Sequence, residues 1–196
     1  MYKIYLNFFL LILLLYPSFA STNDVPVIVI APSKTTQSYS SVGTSVTSIS
    51  SQEIQESGKF FLGEVLNDNS NGMNYFRSGG YGTVTGIQLR GLPKRYSTVY
   101  IDGVKMSDPS NVSNDFDFNN ILTSQVSRVE ILKGNQSSVY GSGAIGGTIH
   151  ITTKKGKTGF NKDINYIVGS HDTHNLSASL SGGNDYSNYY VGLQRF

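Results

Sequence analysis

Apolar and polar residues alternate in short segments along the middle of the chain. This alternation predicts strands at residues 45–49, 84–90, 98–101, 126–132 and 148–153. Two short helices are predicted after the first strand. Ser50 and Glu53 have the spacing of a capping box, and Leu62, Val65 and Leu66 recur at helical spacing. The pattern predicts a mixed α+β domain with a β-sheet and short helices.

Turns and loops separate these elements. Asp102 and Gly103 predict a tight hairpin turn before a strand at 104–106. Four apolar residues between 116 and 122 predict a third short helix. Two long stretches rich in Gly, Ser and Asn, residues 74–85 and 107–115, are predicted loops. Polar loops on a rigid scaffold commonly carry a binding site, so these two loops are where we expect one.

After residue 157 the alternating segments become longer. Apolar side chains occupy alternate positions in three segments, at Ile164, Tyr166, Val168, Leu176, Ala178, Leu180, Tyr189, Val191 and Leu193. Segments of about ten residues with one apolar face are typical of outer-membrane barrel strands. An ordinary half-buried antiparallel sheet has the same pattern. Periodicity alone therefore leaves both structures open.

The N-terminus predicts export. Residues 1–20 combine Lys3, an apolar run and the small residues Ser18 and Ala20, which is the pattern of a cleaved signal peptide. Residues 21–41 are polar except for the run VIVIA at 27–31. We interpret this stretch as a mobile arm that carries a β-prone peptide. The alternative is that the run is an edge strand of the following domain.

Composition and motifs exclude several function classes. The chain has no Cys, and its formal net charge of +2 provides no field for nucleic acid. No catalytic arrangement of Ser, His and carboxylates has supporting context, so an enzyme is not predicted. His171 and His174 lack a third ligand. Asp108, Asp115 and Asp117 lack the glycine turn of a calcium loop and are predicted to be solvated. We expect no metal and no cofactor.

Gly141, Gly143 and Gly146 have the spacing G-x-G-x-x-G of a dinucleotide-binding turn. That turn requires a strand ending just before its first glycine and a helix beginning at its last. Here the preceding strand ends near residue 132, and the residues from Gly147 onward alternate with period 2. The motif therefore does not predict a nucleotide site.

Four ordered motifs carry a resemblance to a known family. IQLRG at 87–91, VYIDGV at 99–104, RVEILKG at 128–134 and SVYGSGAIGGTI at 138–149 resemble the plug domain of TonB-dependent outer-membrane receptors. Within that family the chain is most similar to the cobalamin receptor branch. The resemblance covers residues 42–153 and continues into the segments that would be the first barrel strands. It implies that the glycines of the last motif allow tight turns and close packing.

The resemblance implies an α+β plug domain followed by the start of an antiparallel transmembrane β-barrel. The whole barrel would have about 22 strands, and its lumen would be wide enough to need a plug. The domains would be a signal peptide at 1–20, a mobile arm at 21–41, the plug at 42–157 and the first strands of an incomplete barrel at 158–196. Since the smallest barrels need about eight strands, we expect the N-terminal piece of a longer receptor in the outer membrane of a Gram-negative bacterium.

The resemblance also implies partners and functional residues. TonB would pair with an N-terminal peptide, the TonB box, for which the candidates are Asp24, Val25, Val27, Ile28, Val29 and Ile30. Pro26 removes one backbone donor and leaves the register open by a residue or two. The substrate would bind at two outward loops through Arg77, Ser78, Gly80, Tyr81, Ser110, Asn111, Ser113 and Asn114. Tyr81 or Phe76 could stack on it.

Other residues of the family motifs are expected to be structural: Arg90, Gly91, Asp102, Gly103, Arg128, Glu130, Gly134, Tyr140, Gly141, Gly146 and Gly147. Arg90, Arg128 and Glu130 would form ion pairs within the plug or with the barrel wall. The implied function is energy-coupled uptake of cobalamin or a related corrinoid. A siderophore or haem receptor is the alternative within the family. A pore-less exported binding module is the alternative outside it.

Overall fold

The computed structural model describes residues 28–29, 37–38, 43–113, 115–170 and 172–195. Its strands are β1 (Ile28–Val29), β2 (Gln37–Ser38), β3 (Ser45–Ser50), β4 (Met73–Arg77), β5 (Thr85–Leu89), β6 (Ser97–Ile101), β7 (Val104–Met106), β8 (Val126–Lys133), β9 (Gly147–Thr153), β10 (Gly159–Gly169), β11 (Thr173–Gly183) and β12 (Asn188–Arg195). Its α-helices are α1 (Ser51–Glu56), α2 (Leu62–Asn69) and α3 (Ser137–Tyr140). None of the helices in these ranges has the length and hydrophobicity needed to span a bilayer.

A five-stranded mixed sheet is the centre of the first domain. Its strand order is β3-β8-β9-β6-β7, and only the β6–β9 pair is parallel. Five of the eight residues of β8 are buried, as expected of an interior strand. Val129 and Ile131 on this strand are completely buried against the helices. The α+β sheet predicted from the alternation is confirmed.

The helices α1 and α2 cover one face of this sheet. The Ser50 hydroxyl accepts a bond from the Glu53 backbone N–H, and the Glu53 carboxylate accepts one from the Ser50 N–H at 2.6 Å, so the predicted capping box is confirmed. In α2 the side chains of Leu62, Val65 and Leu66 are completely buried. The predicted apolar helix face is therefore the layer that closes the core.

The predicted loop at 74–85 is wrong in its first four residues, because they belong to a strand. Met73–Arg77 forms β4 and pairs antiparallel with β5, with Tyr75 opposite Ile87 and Phe76 opposite Gly86. The ring of Phe76 fills the space that a side chain at residue 86 would need. Because the pairing depends on that distant glycine, local composition does not predict it. The loop is reduced to a hairpin tip at residues 78–84.

The predicted helix at 116–122 is also wrong. The structure has two 3-10 turns, Phe118–Asn120 and Thr123–Gln125, with extended residues between them. The Asp117 carboxylate accepts the Asn119 backbone N–H at 3.1 Å, and the phenyl rings of Phe116 and Phe118 pack edge to face with centroids 4.9 Å apart. A side chain that caps the backbone locally competes with a continuous helix.

The predicted hairpin turn joins β6 and β7. Asp102 and Gly103 both have positive φ, at 48° and 85°, as a tight primed turn requires. The Asp102 carboxylate accepts the backbone N–H of Thr153 at 3.0 Å and its hydroxyl at 2.6 Å. The turn is thereby attached to the end of β9, which is the last strand of the mixed sheet along the chain and its middle strand in space.

The glycine-rich segment serves packing. Gly141 ends α3 with φ 87°, and β9 begins at Gly147 instead of a helix. A Cβ at Gly147 would collide with the backbone carbonyl of Leu132, and the Gly146 N–H donates to the carbonyl of Tyr96 at 2.9 Å. The expectation that these glycines allow tight turns and close packing is confirmed.

The last three strands form a separate antiparallel sheet in the order β10-β11-β12. Alternate side chains on one face are apolar and exposed, among them Ile164, Val191 and Leu193. The other face is polar and contacts the mixed domain, where the Tyr190 hydroxyl donates to the Ser124 carbonyl at 3.2 Å. The predicted alternation is confirmed. The apolar face points away from the mixed domain except near Tyr166 and Leu176, which line a hollow together with Phe60 and Tyr81.

Candidate functional site

The hairpin tip between β4 and β5 is one of the two loops predicted to bind. It is closed by the bond from the Ser78 N–H to the Val84 carbonyl at 3.0 Å and by the bond from the Thr83 N–H to the Gly80 carbonyl at 3.3 Å. Ser78, Gly80 and Tyr81 are exposed. Three of the four site residues predicted here therefore lie on an accessible tip.

Arg77, the fourth, lies below the tip at the end of β4. Its guanidinium donates to Glu64 and to the Tyr75 hydroxyl, both at 2.7 Å, and lies 4.7 Å from the centroid of the Tyr81 ring. Burial lowers the pKa of Arg77, but the hydrogen bonds to Glu64 and Tyr75 outweigh it, so the pKa lies above its usual value. The predicted loop position of Arg77 is wrong, and its contacts are within the domain.

Tyr81 forms an aromatic platform at the tip. Its ring stacks on Phe61 with centroids 5.1 Å apart, and 61% of Tyr81 is exposed. Beside it lies an open hollow of about 450 Å³, and its lining residues are Phe60, Tyr81, Tyr166, Asp172, Thr173, His174, Leu176 and Arg195. The hollow lies between the tip and the adjoining ends of β10, β11 and β12. An exposed ring beside a hollow of this size can stack on a large flat ligand.

The second loop, residues 107–115, is held by its own side chains. Ser110 donates its N–H and hydroxyl to the Asp108 carboxylate, and hydrogen bonding to Ser110 lowers the pKa of Asp108. Asn111 is half-buried and donates to the Asp115 carboxylate at 2.9 Å. Ser110 and Ser113 are exposed. Asn114 lies outside the described residues.

Two acidic residues near this loop were interpreted wrongly as solvated. The side chain of Asp115 is only 2% exposed and pairs with Lys94 at 3.1 Å. The Asp117 carboxylate accepts the Thr85 N–H at 2.9 Å. Sequence reasoning missed both roles, although the alternation of Asp115 and Asp117 with two Phe residues could have shown that these two side chains share one side of an extended segment.

The family-motif residues support the domain itself. Arg128 pairs with the buried Glu130 at 3.1 Å, which confirms an ion pair within the domain. Arg90 adopts φ 54° after β5. Burial lowers the pKa of Lys133, and the neighbouring charge of Arg90 adds to this effect. The ring of Tyr140 packs on His150 at 5.0 Å, and burial raises the pKa of Tyr140 to about 12.

Two remaining predictions fall partly outside the described residues. Of the TonB-box candidates, Asp24, Val25, Val27 and Ile30 lie there, while Ile28 and Val29 form β1 and pair with β2. His171 lies there as well, and His174 shares a hydrogen bond with the Tyr166 hydroxyl. Within the described ranges no three His, Cys, Asp or Glu side chains approach closely enough to hold a metal ion.

Comparison with known proteins places these features in a family. The model of the TonB-dependent Receptor Plug Domain matches residues 38–148, more than half of the chain. The vitamin B12 transporter BtuB of Vibrio vulnificus is 29% identical over 82% of this chain, which corresponds to 25% of that protein. The branch suggested by the motifs is thus supported by a curated relative.

Solved structures agree in fold. The ferric yersiniabactin uptake receptor FyuA of Yersinia pestis is 27% identical with a TM-score of 0.60, over 78% of this chain and 24% of that one. The pyoverdine receptor FpvA of Pseudomonas aeruginosa is 20% identical with a TM-score of 0.70, over 86% and 24%. The chain therefore spans about a quarter of the length of these relatives. A mixed sheet with short helices, followed by the first antiparallel strands of a barrel, is the fold expected from the sequence. The chain belongs to the TonB-dependent receptor plug domain family.

Proposed function

We propose that the chain is the N-terminal part of a TonB-dependent outer-membrane receptor that imports cobalamin or a related corrinoid. The observation that carries this proposal is the exposed Tyr81 platform and its hollow, found in a plug-family domain whose curated relative is a vitamin B12 transporter. A corrinoid is large, flat and edged with amides, so it can use both an aromatic surface and polar loop tips.

The proposed organisation follows the expected boundaries: a signal peptide at 1–20, an arm at 21–41, the plug at 42–157 and barrel strands at 158–196. The exposed apolar face of β10–β12 supports an outer-membrane location. On this face Ile164 and Leu193 are 77% and 76% exposed, which is costly in water and favourable against lipid. The polar face of the same strands contacts the plug, as the lumen side of a barrel would.

The proposed substrate surface comprises Ser78, Gly80 and Tyr81 on the first loop and Ser110, Asn111, Ser113 and Asn114 on the second. Arg77 would act differently from the others. Because its guanidinium is occupied by Glu64 and Tyr75, we assign it the role of fixing the Tyr81 ring by cation–π contact. The remaining family-motif residues would hold the plug fold together, with Arg90 available to acidic groups of the barrel wall.

The proposed TonB-binding peptide comprises Asp24, Val25 and residues 27–30. Strand addition uses backbone hydrogen bonds, and Ile28 and Val29 already have strand geometry in β1. A proline at Val29 removes one backbone donor. We expect Val29→Pro to weaken uptake while substrate binding is unchanged. An unchanged uptake rate in this variant would refute the assignment.

The test of the substrate is a calorimetric titration of the purified chain in detergent micelles with cyanocobalamin, haem and a ferric siderophore. Tyr81→Ala should weaken binding of cyanocobalamin by about fivefold, the value of one lost aromatic contact. Tyr186→Ala is the control, because Tyr186 is also an exposed tyrosine but lies in the turn at the opposite end of β11. Equal losses in both variants would contradict the proposed site.

The alternatives have distinct outcomes. The likeness to the FyuA structure at 27% identity favours a ferric siderophore as the second candidate substrate. If the chain binds a siderophore or haem but not cyanocobalamin, the proposed substrate is wrong and the proposed receptor function still holds. Binding without any continuation of the reading frame beyond Phe196 would favour a pore-less exported binding module.

A further inference from the structure

A five-residue segment, residues 115–119, lies between the two loops and is here named the clasp. Its sequence alternates Asp, Phe, Asp, Phe and Asn. The Phe side chains anchor it. Phe118 belongs to the buried core and Phe116 packs against that core. In the clasp, polar side chains therefore alternate with the two that anchor it to the domain.

The first end of the clasp holds the loop at 107–115. The Asp115 carboxylate accepts the side-chain amide of Asn111 at 2.9 Å and pairs with Lys94 at 3.1 Å. Since the Asp115 side chain is 2% exposed, removing its charge would leave Lys94 and Asn111 with unmatched polar groups in a poorly hydrated place. The position of this end of the clasp is therefore fixed by the contacts of Asp115.

The other end holds the hairpin tip. The Asp117 carboxylate accepts the backbone N–H of Thr85, at the base of the tip, at 2.9 Å. The side-chain amide of Asn119 donates to the carbonyl of Gly82, inside the tip, at 3.3 Å. Asp117 also accepts the N–H of Asn119. The two contacts on the tip are therefore linked to each other within the clasp.

We propose that the clasp couples the two loops, so that a displacement of one changes the position and mobility of the other. Asp115, Asp117 and Asn119 are then positioning residues for substrate binding, although none of them is assigned a contact with substrate. Phe116 and Phe118 anchor the middle of the clasp, and its end belongs to the 3-10 turn Phe118–Asn120, so little backbone is free to move between the Asp115 and Asn119 contacts. The significance for transport rests on the proposed function, whereas the coupling itself does not.

The test is hydrogen–deuterium exchange of the full chain in detergent micelles without any ligand. Asp115→Ala removes the carboxylate that Asn111 and Lys94 contact, so exchange in the 107–115 loop should rise by about tenfold, as expected for a lost charged hydrogen bond. If the clasp couples the loops, exchange at residues 78–85 also rises by at least about threefold, the range of coupling between residues in one network. Asp108→Ala is the matched control, since the hydrogen bonds that the Asp108 carboxylate accepts among the described residues come from Ser110 of its own loop.

Coupling is overturned if Asp115→Ala affects the 107–115 loop alone, as the Asp108 control should. Exchange at β8 reports whether the variant is folded. If the Asp115 variant unfolds, Asn119→Ala is the second variant, because the exposed bond from Asn119 to the Gly82 carbonyl is not needed for the core. It should raise exchange at 78–85 and, through the clasp, at 107–115. Asp117→Asn keeps the acceptor oxygen and should behave like the wild type, while Asp117→Ala should not.

The same exchange measurement with added cyanocobalamin separates this proposal from the proposed function. Where cyanocobalamin binds, it should protect both loops in the wild type and only one loop in Asn119→Ala. Where it does not bind, the ligand-free comparison still decides whether the loops are coupled.

Discussion

Asp102 combines two contributions to stability that three substitutions can separate. Its backbone is left-handed at φ 48°, and its carboxylate accepts two bonds from Thr153. Asp102→Ala loses both. An exposed pair of charged hydrogen bonds contributes about 1–2 kcal/mol, and the left-handed backbone costs Ala about 1–2 kcal/mol. We expect the free energy of unfolding to fall by about 3 kcal/mol.

The other two substitutions divide that loss. Asp102→Gly loses the hydrogen bonds but tolerates positive φ. Its more flexible unfolded chain offsets part of this gain, so it should be about 1 kcal/mol more stable than Ala. Asp102→Asn keeps acceptor oxygens and is common at left-handed turn positions, so it should lose less than about 1 kcal/mol.

Urea unfolding followed by far-UV circular dichroism measures these differences, since the chain has no Trp. Asp185→Ala is the control, because it removes the same charge from an exposed turn without a positive φ. Equal stability of the Ala and Gly variants would refute the backbone part of the reasoning. An Asn variant as unstable as Ala would refute the hydrogen-bond part.

Three further predictions concern the core, a close approach and a titration. Leu66→Ala should lower the free energy of unfolding by about 2–5 kcal/mol, whereas Leu176→Ala, on the exposed face in micelles, should change it little; urea midpoints measure both. Gly147→Ala should unfold the mixed sheet, seen by circular dichroism, because its Cβ meets backbone, while Gly43→Ala meets nothing within 4 Å and should be neutral. Folding raises the pKa of Tyr140 to about 12, so its contribution is complete below about pH 10 and is lost as pH rises towards 12. Tyr140→Phe should make unfolding less pH-dependent in that window, and an unchanged dependence would contradict the assignment.

The strongest local signals in the sequence were sufficient for the core. The capping box at Ser50 and Glu53 and the helical spacing of Leu62 and Leu66 are satisfied within a few residues, so tertiary context had little to override. The hairpin at Asp102 likewise follows from one dipeptide that tolerates positive φ. The motif RVEILKG correctly marked the interior strand β8.

Apart from the local cap of Asp117 on Asn119, the missed features depend on partners elsewhere in the chain. Residues 74–77 read as loop, but they pair with β5, where Phe76 lies over Gly86. The guanidinium of Arg77 is bound by Glu64 on the preceding helix. Asp115 is buried because Lys94 reaches it. Composition shows that these residues are polar, but not which polar group each one meets.

The position of β9 sets the order in which the chain can fold. This strand lies between β8 and β6, and its parallel pairing joins residues Ser97 and Gly147, far apart in sequence. Until β9 is available, β6 and β8 each lack a neighbour, and closing so long a loop is slow. The mixed sheet is completed only at Thr153, six residues before β10 begins. Every strand of the mixed sheet therefore precedes β10 in the chain, so this sheet can be completed before the three long strands pair.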